Sequence, residues 1–240
     1  MVGPRHPFVT TLRRSRSSAG DSLTSSVHNP TASASPAWTI VELAEDLSLI
    51  DLVAVIDGVM HTGGTTIDQP LDSIVPGRRG AKTLRDALAL VDGRSESWWE
   101  SVLRLAHQLA GIPVDSQVEV FDAGGAFVAR TDLHIIGTVR HPEYDGSEHR
   151  LAQRHRKDLR RDKGLSRLGR ERFGYTSDEL VKTPTLVVRD AEDALGWEHD
   201  PQRWKRWLEE LDKSSITRSG WLRLQRRLRR FDRQRSPRSR

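Results

Sequence analysis

The sequence of 240 residues contains no cysteine and no long apolar run. Without cysteine there is no disulfide and no thiolate metal site, so oxygen or histidine must bind any metal. No apolar stretch approaches the ~18 residues of a membrane span. The N-terminus also lacks the apolar stretch, about 7–15 residues long, of a secretory signal. These absences predict a cytoplasmic protein with no membrane partner.

Lysine is scarce, since only 6 of the 38 basic residues are lysines and 32 are arginines. Residues 213–240 hold ten arginines, one lysine and one aspartate, a net charge of +10, whereas the whole chain has +5. Such a basic tail favours nucleic acid as a partner. A GC-rich coding background explains the arginines equally well, so nucleic-acid contact by the tail stays open.

The first 34 residues are rich in Ser, Thr, Arg and Pro and lack apolar periodicity, which predicts a disordered arm. Order is expected to begin at Ser35-Pro36, because serine caps a helix and proline fits its first turn. Apolar spacing then predicts a helical N-terminal segment over 35–93, with helices at roughly 37–46, 49–61 and 80–91.

The clearest helix lies over residues 95–111, SESWWESVLRLAHQLAG. Its apolar stripe, at helical spacing, consists of Trp98, Val102, Leu105 and Leu109. Alternating apolar residues then predict two strands, at 117–121 and 126–134, joined by a hairpin turn. Farther along, the pattern predicts a charged helix over 147–168, a strand at FGYT, a helical turn at SDEL and another strand at TLVVR.

Two helices are expected to close the chain, in a basic C-terminal extension over 199–240. Their apolar stripes consist of Trp204, Trp207, Leu208 and Leu211 in the first helix and of Trp221, Leu224, Leu228 and Phe231 in the second. Tryptophans at this spacing are typical of packing residues. A protein-interaction module, in which these stripes meet a partner, stays an alternative.

Acidic residues gather around the predicted strands. Asp132 lies within the second strand, and Glu143 and Asp145 lie in the stretch HPEYDG that follows. Carboxylates at adjacent strand ends can converge on a hard divalent cation, which can polarise a phosphodiester and activate a water. Glu143 and Asp145 face the same side of a regular strand. Acidic pairs around turns are common, so this spacing alone does not establish catalysis.

Five segments resemble one family in both order and spacing: SESWWESVLR, QVEVFDAGGAFVARTDL, EYDGSEH, KDLRRDKGLSRLG and YTSDEL. The family is that of the very-short-patch-repair-like (Vsr-like) endonuclease domains, within the PD-(D/E)xK restriction-endonuclease-like superfamily. The resemblance covers roughly residues 94–181, and the element EYDG with its following histidine is the most specific part. Residues 36–93 resemble the helical region of type IV abortive-infection-like antitoxin proteins.

The resemblance implies an α/β fold, with a restriction-endonuclease-like domain over 94–198 in which helices flank a mixed sheet. It also implies DNA hydrolysis that depends on Mg²⁺ or Mn²⁺. Asp132 corresponds to the metal-binding aspartate, and Glu143 corresponds to the acidic residue of the superfamily's strand motif, also a metal ligand. Glu100 corresponds to the acidic residue of the first core helix. Asp145 stands where the superfamily usually has lysine, a substitution that also occurs in this branch.

The candidate catalytic residues implied by the resemblance are Glu100, Asp132, Glu143, Asp145 and His149. His149 could bind a phosphate, relay a proton or orient a water, because the pKa of histidine lies near neutrality. The candidate contacts to the phosphate backbone are Lys157, Arg160 and Arg161, although a solvated helix face explains these residues equally well. The antitoxin-like segment would also allow a toxin partner.

Two stretches depart from the family's pattern. The strand before EYDG is normally an apolar run, but here it reads Val139-Arg140-His141-Pro142. Proline removes a donor from the ladder, and arginine and histidine are costly in a covered strand. Residues 170–174 replace a segment that is usually rich in tryptophan and valine. Two readings therefore stay open: a metal-dependent DNA endonuclease, or a catalytically inactive DNA-binding or antitoxin-like regulator that retains the nuclease fold.

Overall fold

The described part of the chain is mixed α/β, 53% helical and 15% strand, in a computed structural model. The structure describes residues 35–72, 74, 77–146 and 161–235. The predicted disordered arm over 1–34 lies outside these residues. Within them, no helix is both long enough and apolar enough to cross a membrane.

Helices form most of the described chain, and four strands lie in its middle. The helices are α1 (Pro36–Leu43), α2 (Leu49–His61), α3 (Asp68–Asp72), α4 (Ala81–Leu88), α5 (Trp98–Leu109), α6 (161–167), α7 (Ser177–Lys182), α8 (Pro184–Leu195), α9 (Pro201–Lys213) and α10 (Arg218–Arg235). The strands are β1 (Val114–Phe121), β2 (Phe127–Ile135), β3 (Arg140–Tyr144) and β4 (Glu171–Tyr175).

Side-chain caps explain where the first helices begin. Ser35 Oγ accepts a hydrogen bond from the backbone N–H of Trp38 at 3.2 Å, and Pro36 occupies the first turn, so the predicted N-cap and first turn are confirmed. Ser48 caps α2 in the same way, and Ser97 caps α5 through the N–H of Glu100 at 3.2 Å. Each cap satisfies one of the N–H groups that a helix leaves free at its N-terminus.

One hydrophobic cluster joins the N-terminal helices, the middle of the chain and α9. Representative buried members are Ile40 of α1, Leu52 of α2, Leu84 of α4, Leu105 of α5, Leu133 of β2, Leu180 of α7, Val187 of α8 and Trp207 of α9. Because these residues come from the ranges 35–93, 94–198 and 199–240 alike, the three ranges are stabilised by the same buried surface.

The strands form two pairs instead of one continuous ladder. β1 and β2 are antiparallel, with Val114 opposite Ile135, and the predicted hairpin turn between them is confirmed. β3 and β4 are parallel, with Glu143 opposite Gly174. β3 lies beside β2 without a regular ladder.

Pro142 explains this interruption, in agreement with the loss of a ladder donor that the sequence predicted. Proline has no N–H to give, and the N–H of Tyr144, two residues on, donates to the Asp132 carboxylate at 2.9 Å instead of to a backbone carbonyl. Nδ1 of the buried His141 lies 2.9 Å from Thr131 Oγ1. Arg140 stacks over the Phe173 ring at 4.2 Å.

The strand predicted at TLVVR is wrong, because these residues belong to α8. The β-branched residues suggested a strand, but Val187, Val188 and Ala191 are buried at helical spacing. Pro184 fits the first turn of the helix, and Gly196 ends it with a φ of +66°. The neighbouring predictions, a strand at FGYT and a helical turn at SDEL, are confirmed by β4 and α7.

The two C-terminal stripes have different outcomes. In α9, Trp207 and Leu211 are buried, and Trp204 and Leu208 pack against the same cluster, so the first stripe is confirmed as packing. In α10, however, Trp221 and Leu228 are 49% and 46% exposed, so these two residues of the second stripe do not pack as predicted, whereas Leu224 is half-buried and the side chain of Phe231 lies outside the described part.

Candidate functional site

The candidate site is built from three elements whose acidic residues the sequence singled out. Glu100 lies in the first turn of α5, Asp132 lies within β2, Glu143 lies within β3, and Asp145 directly follows β3. Asp132 interacts electrostatically with both Glu100 and Glu143. Glu143 and Asp145 share an arginine partner. The structure therefore brings these four predicted residues together.

Asp132 is fixed by the backbone of the neighbouring strand. Its Oδ2 atom accepts the hydrogen bond from the N–H of Tyr144, and Tyr144 in turn stacks on Trp99 of α5, with ring centroids 5.7 Å apart. Within the described residues, Oδ1 of Asp132 has no hydrogen-bond donor. Burial raises the pKa of this carboxyl, and the Tyr144 hydrogen bond opposes the rise.

Glu143 is the most deeply buried of the four acids, with 2% of its surface exposed. Its Oε1 atom accepts a hydrogen bond from Nη2 of Arg161, and its Oε2 atom accepts one from Nε of Arg172. Burial raises the pKa of the Glu143 carboxyl, while the two guanidinium groups act against that rise. Both of its oxygens are therefore already bonded to cationic donors.

Glu100 is held by the backbone just before α5 and by β1. Its Oε2 atom accepts hydrogen bonds from the N–H of Glu96 at 2.8 Å and from Nε2 of Gln117 at 3.0 Å. Burial first, and then the negative charge of Asp132, raises the pKa of the Glu100 carboxyl. Three neighbouring carboxyls, those of Glu100, Asp132 and Glu143, thus have raised pKa values, a pattern that is frequent at functional sites.

Gln117 is a residue of this site that the sequence reasoning missed. Its φ of +53° lies in the left-handed region, which is uncommon for residues other than glycine. In the register of the hairpin it stands opposite Asp132, between the pairs Ser116–Leu133 and Val118–Thr131. Backbone strain of this kind concentrates at functional sites, but the alternating pattern of QVEVF contains no signal for it.

Arg172 is the second missed residue and the one with most contacts to the acids. From β4 it bonds Glu143 through Nε and Asp145 through Nη2, and its Nε lies 3.8 Å from Oδ1 of Asp162. These carboxylates raise the pKa of its guanidinium, against the effect of burial. The sequence marked residues 170–174 only as a departure from the family, so the arginine itself carried no signal.

The remaining predicted residues have mixed outcomes. Arg161, predicted to contact phosphate, bonds Glu143 and also the carbonyl oxygen of Arg130 at 2.6 Å. Its guanidinium therefore belongs to the acidic site in this structure. His149, Lys157 and Arg160 lie outside the described residues.

The donor atoms at this site suit a hard divalent cation in kind, because they are carboxylate oxygens. Among the residues that the structure describes, no group of three or more His, Asp or Glu side chains is arranged to hold a metal ion. Mg²⁺ does not require such a cage, since it is usually held by one or two carboxylates together with waters and phosphates. Among the described residues no donor reaches Oδ1 of Asp132, whereas Glu143 becomes available only if an arginine moves.

Comparison with protein-family models, with curated proteins and with solved structures finds no match to this chain.

Proposed function

We propose that the chain hydrolyses DNA phosphodiester bonds with the help of Mg²⁺ or Mn²⁺. The observation that carries this proposal is the meeting of Glu100, Asp132 and Glu143, the last of which is paired with two arginines. Glu100 and Glu143 lie 43 positions apart in the sequence, and the three acids come from a helix and two different strands. Motif order and spacing predicted them as one site, under the resemblance to Vsr-like endonuclease domains.

The fold is part of the same proposal. Helix α5, the strands β1, β2 and β3, helix α6 and strand β4 follow one another in the chain. We propose that this stretch is a restriction-endonuclease-like domain in which Pro142 has loosened the junction between β2 and β3. Both antiparallel and parallel pairs are present, which a mixed sheet requires.

The residues suited to hold the cation are Asp132 and Glu143, and the cation would polarise the phosphodiester and activate a water. Arg172 supplies a positive charge at the place where Asp145 replaces the lysine of the superfamily. A guanidinium can stabilise the negative charge that grows on a phosphate oxygen during hydrolysis. Glu100 accepts hydrogen bonds from Gln117 and so ties the helix to the hairpin that carries Asp132.

The test is cleavage of plasmid DNA by the purified protein with Mg²⁺ or Mn²⁺. Asp132→Asn removes the charge, yet its amide oxygen can still accept the Tyr144 N–H, so the fold should persist. We expect the variant to lose at least about 100-fold in rate, the scale on which misplacing a catalytic group acts. Glu119→Gln is the matched control, because Glu119 is exposed on β1. The proposal fails if the parent cuts nothing or if Asp132→Asn cuts like the parent.

A second function is favoured by one specific observation, the two guanidinium groups on Glu143. If they stay in place, the chain is a catalytically inactive DNA-binding or antitoxin-like regulator with a nuclease-like architecture. The basic helix α10, with eight arginines and one aspartate, would then supply most of the DNA affinity. This reading predicts salt-sensitive binding to duplex DNA in EDTA and no cleavage with any divalent cation. Absence of binding at low salt would exclude it.

A further inference from the structure

Glu143 is held between two arginines that come from different elements. Arg161 belongs to α6 and Arg172 belongs to β4, and each bonds a different oxygen of the carboxylate. The side chain of Glu143 is only 3% exposed, so water does not compete strongly for these oxygens. A buried carboxylate with two guanidinium partners is satisfied as it stands, and losing one partner without replacement is costly.

A divalent cation competes with the arginines for the oxygens of Glu143. A carboxylate has two oxygens with about four lone-pair sites, and each oxygen of Glu143 already accepts from a guanidinium. A cation within bonding distance of Glu143 would also stand close to two positive charges, which repel it. The repulsion therefore opposes a metal–Glu143 bond until a guanidinium withdraws.

Both arginines have a route by which to withdraw. Their side chains are 28% and 25% exposed, for Arg161 and Arg172 respectively. Arg172 also lines an open depression of about 390 Å³ beside Ser166 and Arg170. A guanidinium that leaves Glu143 can therefore reach water, whereas Glu143 itself cannot. The arginines are the mobile partners of the pair, and the carboxylate is the fixed one.

We propose that Arg161 and Arg172 hold the place of the divalent cation at Glu143, so that a metal binds Glu143 only by displacing them. This inference rests on the proposed function, since it concerns the same site. It assigns the role of setting how tightly the site binds its metal to Arg172, which no motif singled out, and to Arg161, which the sequence suggested only as a phosphate contact. In this role both residues act through Glu143, as positioning residues for the metal.

The test measures Mn²⁺ affinity without DNA, by isothermal titration calorimetry on the full chain. Arg172→Gln removes a guanidinium from Glu143 and Asp145, so Mn²⁺ should bind at least about 10-fold more tightly than to the parent, a change of ~1.4 kcal/mol. Arg140→Gln is the matched control, because Arg140 is a nearby arginine that pairs with Glu171 and not with Glu143. It should leave the Mn²⁺ affinity within about twofold of the parent.

Arg161→Gln is the second variant, in case Arg172→Gln does not fold, as judged by circular dichroism. It opens the other oxygen of Glu143 and should give a gain of the same kind. Equal Mn²⁺ affinity of a folded arginine variant and the parent would overturn the inference. An equal gain in Arg140→Gln would overturn it too, since it would show a general effect of charge.

The outcome is separable from that of the proposed function, because DNA cleavage is not the readout. A parent chain that cuts no DNA can still show the gain in Mn²⁺ affinity on arginine removal. Conversely, a chain that cuts DNA but binds Mn²⁺ equally with and without Arg172 refutes the inference and leaves the proposed function standing.

Discussion

At the scale of single residues, the candidate site holds acidic side chains where little water is available to stabilise a negative charge. Glu100, Asp132 and Glu143 all have raised pKa values, with burial as the first cause of each. Each carboxyl is nevertheless given hydrogen-bond donors, from backbone N–H groups, from Gln117 or from arginines. Arrangements that are costly to fold are typical of sites retained for function rather than for stability.

His107 of α5 shows the opposite case, a titratable residue with no part in the site. It is fully buried, its Nδ1 lies 2.8 Å from the carbonyl oxygen of Leu103, and its Nε2 has no partner in the described part of the chain. Burial lowers the pKa of His107 from 6.5 to about 4. The unfolded chain therefore binds more protons between pH 6.5 and 4, so stability falls as pH drops through that window.

His107→Leu should remove this dependence, because leucine has a similar size and does not titrate. The parent should lose about 2 kcal/mol more stability than the variant between pH 7 and pH 5, from the difference between the two pKa values. Urea unfolding at a series of pH values measures this. His141, whose pKa is also lowered to about 4, is present in both chains and cancels in the difference. Parallel curves for the two chains would contradict the prediction.

At the scale of elements, the two C-terminal helices look alike in sequence but differ in what they bury. Trp207 of α9 is fully buried and donates its ring N–H to the carbonyl oxygen of Pro184 at 3.0 Å. Trp221 of α10 is half exposed. Both tryptophans begin or continue an apolar stripe at helical spacing, so periodicity alone does not distinguish them.

A pair of substitutions tests this difference. Trp207→Ala should lower the free energy of unfolding by about 3–5 kcal/mol, as is usual for truncation of a buried tryptophan. Trp221→Ala should change it by less than about 0.5 kcal/mol, as for most surface positions. Both values can be measured by urea unfolding under the same conditions. A large loss in Trp221→Ala would mean that α10 packs in solution in a way that the structure does not show.

The elements that the sequence predicted well are those whose pattern is set by local physics. The helix over 98–109 has an unbroken apolar stripe and a serine cap, and the hairpin has an Asp-Ala-Gly-Gly turn. TLVVR was mistaken for a strand, because a segment of five residues rich in valine is compatible with both helical and strand periodicity. Only the burial of Ala191, which follows the segment, identifies it as part of a helix. The exposure of Trp221 and Leu228 in α10 could not be predicted from the sequence, since exposure depends on which neighbours are present.

The same distinction applies to the residues of the candidate site. Acidic residues in a recognisable order were predictable, whereas their partners were not. The position of Arg172 beside the acids follows from the parallel register of β3 with β4, which places His141 opposite Arg172 and Glu143 opposite Gly174. Register is a tertiary property that a five-residue strand does not specify alone. Gln117 likewise acquires its role only from the backbone geometry of the folded hairpin.

At the scale of the whole molecule, α9 packs into the hydrophobic core and is not a separate C-terminal extension. Asp51 of α2 accepts hydrogen bonds from the hydroxyl of Ser214 at 2.6 Å and from the N–H of Ser215 at 2.9 Å. Asp51 and Ser214 are both buried. The turn between α9 and α10 is therefore fastened to one of the first helices.

Two shortened chains test this organisation. A chain that ends at residue 198 lacks Trp207 and both serines, and we expect it to remain unfolded, because the loss exceeds the usual margin of about 5–15 kcal/mol. A chain that ends at residue 217 keeps α9 and the partners of Asp51, and it should fold cooperatively. Circular dichroism during thermal unfolding distinguishes the two. A cooperative transition in the shorter chain would show that α9 is dispensable.

The fastening of Asp51 also sets the order of events during synthesis. Ser214 follows Asp51 by 163 residues, so at about 5–20 residues per second a ribosome adds it roughly 10–30 s later. Until then the buried carboxylate has no hydroxyl partner and the apolar surface that Trp207 covers is open. The nascent chain therefore completes this part of its core only after Ser214 has been made, and chaperones have access to the open surface until then.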